Sequence, residues 1–313
     1  MDEALQALCA RNGGVFTRRD AVAVGVRQHR LTRLVRTGAI ARLRHGVYSA
    51  HGAIARLQDP WVVTRALRVV LSYWSAAAWW GVDLPTALRR VHVTAPRNRG
   101  CRRHDIPGVR LHRAALRADV TTVRGVEVTT ALRTCLDLAR HASLEDAVAI
   151  VDGFLRKKLV THDEFLAAAA RAAGPGRMRV QTVASLVDAK SGSVLESLAR
   201  VLLWRNGLCP PVSQHPLAHA ASGWRGYLDF AWPQLKVALE CDGYEWHAER
   251  VPFQKDRRRW STLSRLDWRC GVVTWFDVTC DPSYVVTLVA ELLGRPVPTH
   301  IRHTNVTRDA DVA

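Results

Sequence analysis

Three carboxylates stand inside apolar runs of the stretch "YLDFAWPQLKVALECDGYEWH", Tyr227 to His247: Asp229, Glu240 and Asp242. Strand alternation puts Tyr227, Asp229 and Ala231 on one face of the first run. In the second run it puts Ala238, Glu240 and Asp242 on one face, with Val237, Leu239 and Cys241 on the other. The connection "PQL" is short enough for a hairpin, so the runs pair and Asp229 lies beside Glu240. Ionised carboxylates held that close repel one another strongly at intermediate dielectric. An oxygen-preferring Mg²⁺ or Mn²⁺ would offset the repulsion; a salt-bridged sheet surface is the plainer alternative.

The elements around this hairpin must bring further groups to it. In "SVLESLARVLLW" the inward residues are Leu195, Leu198 and Leu202, and Glu196 sits at the edge of their stripe. Gly192 and Ser193 open this helix and Gly207 ends it, and laid across the sheet it offers Glu196 as a fourth oxygen donor. Downstream, "FQKDRRRWSTLSRL" reads as a helix with Trp260, Leu263 and Leu266 facing in. Asp256 shares that inward face four residues before Trp260, as a polar partner behind the ligands. Trp232, Trp246 and Trp260 read as core residues.

Upstream, residues 51–175 read as a mixed helical and stranded scaffold. Within it "VVLSYWSAAAWWGV", "ALRTCLDLARHA" and "LEDAVAIVDGFLRKK" are helical, and "RRVHVTAP" and "GVRLHRAA" are strands. Asp137 and Asp152 on its helices are expected as caps or salt-bridge partners. Its sequence holds no Gly-rich phosphate loop and no Ser/His/Asp arrangement with motif spacing. A linker-like "AAGPGRMR" leads into a last domain over 176–296, and the apolar period stops after Pro296, which predicts a disordered tail over 297–313.

The first fifty residues carry a different chemistry. Thr17 and Asp20 resemble a cap opening a short helix, Gly25 breaks it, and "VRQHRLTRLVRTG" forms a third helix stopped by Gly38. Leu31, Leu34 and Val35 make its inward stripe, which leaves His29, Arg33 and Arg36 projecting from the opposite side with Arg30. "AIARLRHGVYS" then alternates and turns as a small two-stranded wing bearing Arg42 and Arg44. Three short helices and a basic wing have the layout of a winged helix-turn-helix, whose third helix enters the major groove of double-stranded DNA. The bulk charge agrees: the 313 residues carry a formal +17 at pH 7, an excess that points to a polyanion. No run approaches the length of a membrane span. The acidic start "MDEALQALCARNGG" is no signal peptide. Seven cysteines without a CxxC pair suggest free thiols in a reducing, cytoplasmic setting.

Helix, strand with Asp, strand with Glu-x-Asp, then helix resembles the restriction-endonuclease-like core. "SVLES", "YLDFAWP", "ALECDGYEWH" and the following helix are similar to the DUF559 group, related to very-short-patch repair endonucleases. The resemblance implies Asp229 and Glu240 as ion ligands with Glu196, and places the motif histidine on His247. The implied chemistry is metal-assisted hydrolysis of a DNA phosphodiester. Asp229, Glu240 and Asp242 would hold Mg²⁺ or Mn²⁺, His247 would take or relay the proton, and Arg257 or Arg258 would steady the phosphate. The sequence departs from the superfamily pattern where Asp242 replaces the motif lysine; Lys255 is a substitute if its helix leans over the site. The N-terminal "GGVFTRRDAVAVGV…LVRTGAIARLRHGVYS" resembles the winged helix of AbiEi-type antitoxins, and the middle segment resembles what usually follows it. Two functions are therefore expected in competition. One is a metal-dependent DNA endonuclease. The other is a non-catalytic transcriptional repressor or antitoxin of an AbiE-like type IV toxin–antitoxin system, with a cognate toxin protein as partner.

Overall fold

A computed structural model of the chain describes residues 3–44, 46–50, 59–96, 108–116, 118–208, 211–219, 223–243 and 252–304, with backbone alone at 44, 66, 224 and 252–258. The chain is mixed α/β and forms two compact units, Met1–Gly81 with Thr86–Asp137, and Val82–Pro85 with Leu138–Arg308. The segment read as one scaffold over 51–175 is thereby divided: its strands belong to the first unit and its later helices to the second.

The first unit opens with α1 (Glu3–Arg11), β1 (Val15–Thr17), α2 (Arg18–Ala23), α3 (Gln28–Arg36), β2 (Ile40–Arg44) and β3 (Val47–Ala50). The strands form an antiparallel sheet in the order β1-β3-β2. The cap expected at Thr17 is present: its Oγ1 accepts from the Asp20 N–H at 3.1 Å, and Asp20 Oδ2 accepts from the Thr17 N–H at 2.9 Å. Two backbone donors that the helix start leaves unmatched are so satisfied. Gly25 takes φ +84° between α2 and α3, a turn that a side chain would strain. Leu5, Phe16, Leu31 and Ile40 close a small core, and Phe16 stacks on its register partner Tyr48 with centroids 5.7 Å apart.

The rest of this unit comprises α4 (Pro60–Leu67), β4 (Val70–Leu71), α5 (Tyr73–Trp79), β5 (Val91–Ala95), β6 (Val109–Arg113), β7 (Val120–Val123), β8 (Val126–Thr129) and the start of α6 (Ala131–His141). Its five strands run in the order β6-β5-β4-β8-β7, with parallel and antiparallel pairs. Asp137 accepts from Arg133 one turn earlier on α6 at 2.9 Å, the local ion pair expected of it.

The second unit continues with α7 (Leu144–Arg156), α8 (His162–Ala170), α9 (Arg177–Ala184), α10 (Val194–Arg205), β9 (Val212–His219), β10 (Trp224–Trp232), β11 (Val237–Asp242), α11 (Pro252–Arg265), β12 (Arg269–Thr274), α12 (Trp275–Thr279) and α13 (Pro282–Leu292). The sheet order is β12-β11-β10-β9. β9, β10 and β11 are antiparallel, whereas β12 runs parallel to β11, which requires the α11 crossover. Phe230, Trp232, Val237 and Leu239 bury one face with residues of α10 and α13, while Leu228, Ala231 and Ala238 meet Leu263 of α11 on the other. Asp152 of α7 is fully buried and ion-paired with Arg200 of α10, a salt-bridge partner as expected but from a helix 48 residues away.

The described part of the tail makes long-range contacts: the Arg302 N–H donates to Asn206 Oδ1 at 2.8 Å and Asn206 Nδ2 donates to the Arg302 carbonyl at 2.9 Å. Thr304 Oγ1 donates to the Val278 carbonyl at 2.8 Å. One amide side chain acts here as a strand partner would, a long-range pairing invisible to local hydropathy. Residues 305–313 lie outside the described set.

Candidate functional site

The basic face of the first unit is built on α3. Leu31 is wholly buried, and Leu34 and Val35 pack at the core's edge, which fixes the rotation of the helix. His29, Arg30, Arg33 and Arg36 are all exposed as a result. Arg42 is exposed on β2, whose pairing with β3 shifts register between Arg42 and Arg44; the Arg44 side chain lies outside the described residues. The capping box and Gly25 set the angle between α2 and α3, so the exposed guanidinium groups sit on a rigid element rather than a loop. Such a face can engage phosphates and base edges.

The carboxylate cluster belongs to the second unit. The ladder between β10 and β11 runs Trp232↔Val237, Ala231↔Ala238 and Phe230↔Leu239. One step further, the Cys241 N–H donates to Asp229 Oδ2 at 2.9 Å, so a side chain takes the place of a backbone rung. Glu196, one turn into α10, accepts from the Gly192 N–H at 2.8 Å. Between the two acids lies Gln214 of β9, whose Nε2 donates to Glu196 Oε2 at 3.0 Å and to Asp229 Oδ1 at 3.2 Å. On the α11 side, Arg259 is ion-paired with Glu240 and donates to the Tyr227 carbonyl at 2.6 Å.

Asp229 acts electrostatically on both glutamates. Burial pushes the Glu240 carboxyl up to about 7, Asp229 adds to the rise, and Arg259 opposes it. Burial also raises Glu196, where Asp229 again adds and the hydrogen bonds from Gly192, Gln214 and Ser193 oppose. Both acids resist ionisation because burial penalises the charged carboxylate more than the donors around it favour it.

Among the described residues no group of three His, Cys, Asp or Glu side chains is placed to hold a metal ion. Glu196, Asp229 and Glu240 do converge, but amide and guanidinium donors occupy the space between them, so the donor set does not fit Mg²⁺ or Mn²⁺. Asp242 ends β11 exposed, because the strand runs out into solvent there. His247 and Trp246 lie outside the described residues, as do the side chains of Lys255, Asp256, Arg257 and Arg258 on α11. Trp232 and Trp260 pack into the cores on either side of the sheet. Reading the sequence passed over Gln214 and Arg259. Arg259 directly follows the two arginines chosen on the same helix, and only the helix's seating shows that it meets Glu240. Gln214 carried a weaker signal, a polar residue in the strand preceding Asp229.

A short helical triad with a three-stranded wing and a basic third helix defines a class: the first unit has an arrangement consistent with a winged helix-turn-helix. Comparison with known proteins agrees. The family model described as "Transcriptional regulator, AbiEi antitoxin" matches residues 3–51, the span of α1 to β3. Over a much longer stretch the chain is similar to two uncharacterized proteins of Mycobacterium tuberculosis, from strains CDC 1551 / Oshkosh and ATCC 25618 / H37Rv. Each is 29% identical over 268 residues, covering 83% of this chain and 95% of the relative. The described cysteines are free thiols, and among the described residues no helix is long and apolar enough to cross a membrane.

Proposed function

We propose that this protein is a DNA-binding transcriptional regulator of the antitoxin kind, acting in the cytoplasm with a cognate toxin protein as its partner. The observation that carries the reading is α3: Leu31 is locked in the core and His29, Arg30, Arg33 and Arg36 are turned outward. This is the span matched by the antitoxin-regulator family. α3 lies in the major groove of double-stranded DNA, and the β2–β3 wing with Arg42 and Arg44 follows the adjacent backbone. The net charge of +17 draws the chain to DNA and makes its affinity fall with salt. The second unit is a restriction-endonuclease-like scaffold that serves as a docking module; among the described residues no three acidic, histidine or cysteine side chains are placed to hold the ion that the endonuclease reading needs.

The test is fluorescence anisotropy with duplex DNA from upstream of the protein's own coding sequence, at several KCl concentrations. Arg33→Ala removes one exposed guanidinium and leaves Leu31 seated. It is expected to weaken binding by about 1–3 kcal/mol and to lower the slope of log affinity against log salt by about 1. An affinity and slope equal to the parent's would remove α3 from the interface.

A further inference from the structure

We infer that Gln214 and Arg259 stand where a divalent cation would otherwise be needed, and that the cluster of Glu196, Asp229 and Glu240 takes up no such ion. Both hydrogens of the Gln214 amide are committed, one to Glu196 Oε2 and one to Asp229 Oδ1. The second Asp229 oxygen is held by the Cys241 N–H, and Glu196 Oε2 also accepts from the Gly192 N–H. Glu240 Oε2 is taken by Arg259. Glu240 Oε1 is buried without a hydrogen-bond partner. With Glu196 Oε1 it leaves two oxygens on separate carboxylates, whereas Mg²⁺ demands near-octahedral oxygen coordination.

Two backbone features show that this filling is built in. Gln214 has φ +49° in the middle of β9, a conformation that persists in a non-glycine residue only where its surroundings over-determine it. From that position its side chain reaches the gap between α10 and β10. On the far side, Gly192 leaves no slack: a Cβ there would lie 2.9 Å from Glu196 Oε1 and 3.3 Å from Gln214 Nε2. A fixed amide and guanidinium thus tie α10, β9, β10, β11 and α11 together. Neither group can be displaced by an ion without leaving another buried donor unmatched.

This inference goes beyond the DNA-binding reading and does not rest on it, since duplex affinity and ion uptake are measured separately. The experiment is titration of the full chain with MgCl₂ and MnCl₂, followed by calorimetry and by thermal unfolding. Parent, Gln214→Glu and Asp229→Asn are compared after near-ultraviolet circular dichroism confirms their folding. The parent is expected to show no saturable heat and no change in Tm. Gln214→Glu exchanges the bridging donor for a fourth carboxylate and is expected to gain a saturable Mn²⁺ site, raising Tm by about 5 °C at saturation. One-to-one uptake by the parent that Asp229→Asn abolishes would overturn the inference. Failure of a folded Gln214→Glu to take up Mn²⁺ would overturn the role assigned to Gln214. If that variant does not fold, Gln214→Ala replaces it, with the same gain expected at lower affinity and the same failure counting against the assignment.

Discussion

Arg259→Gln probes the acid cluster through the pH dependence of stability. In the parent, Glu240 is 8% exposed; burial and Asp229 push its carboxyl up to about 7 from an ordinary 4.5, and Arg259 pulls the other way. Removing the guanidinium leaves the two upward influences unopposed, so the carboxyl rises further. A carboxyl raised on folding contributes stability that is fully present below its unfolded value and is lost as pH rises through its folded value. At pH 5.5 the folded parent and variant both hold Glu240 mostly neutral. The variant then loses little beyond hydrogen bonds to Glu240 and the Tyr227 carbonyl, about 1–2 kcal/mol. At pH 8.5 the parent keeps Glu240 ionised against Arg259, whereas the variant must ionise it alone or hold a proton against the pH. Each unit of further upward displacement adds about 1.4 kcal/mol to that difference. The Arg259 side chain is 31% exposed, so solvent screening limits the displacement to about one unit. Urea unfolding is therefore expected to show a loss of about 1–2 kcal/mol at pH 5.5 and about 2–3 kcal/mol at pH 8.5. Adding Glu240→Gln should erase the pH-dependent part. An equal loss at both pH values would refute the coupling between Arg259 and Glu240.

Asp152 offers a second buried pair, where burial lifts the carboxyl to about 7 against the pull of Arg200 and Ser197. Asp152→Ala should cost about 3–5 kcal/mol in chemical denaturation by stranding the Arg200 guanidinium, and Asp152→Leu with Arg200→Met should recover most of it; a mild single mutant contradicts the pairing. Gly13 combines φ +61° with a Cβ position 2.6 Å from Val62 Cγ2, so Gly13→Ala should lower the Tm of the chain by a strain of about 1–3 kcal/mol, and an unchanged Tm speaks against that close approach. Thr17→Ala removes the α2 capping box and should cost about 1 kcal/mol, seen as faster amide exchange at Asp20; exchange at the parental rate would show the cap to be dispensable.

Local order was legible where one residue type has one local use. Thr17 with Asp20, Gly25 and the Leu31 stripe specify α2, the turn and α3 from neighbours alone, and the structure follows them. The hairpin through "PQL" was equally readable, because alternation and a short connection leave only one register that buries Phe230 and Leu239 together. The site was only half readable. Alternation singled out Asp229 and Glu240 as acids in paired strands, yet repulsion between acids announces only that something must offset it. Whether an ion, an amide or a guanidinium does so depends on groups 15 residues before Asp229 and 19 residues after Glu240. The contacts of the tail were unreadable for the same reason, since Asn206 and Arg302 are 96 residues apart.

The amino-acid order by itself determined the basic helix, the pairing of the strands that carry Asp229 and Glu240, and the caps that start and stop the helices. Those features depend on steric preference and periodicity over a few neighbouring residues. Only the tertiary structure decided that Gln214 would bridge Glu196 and Asp229, that Arg259 would meet Glu240, and that Asp152 would answer Arg200. A buried charge selects its partner by distance in space, and distance in space is set by how sheet and helices close on one another.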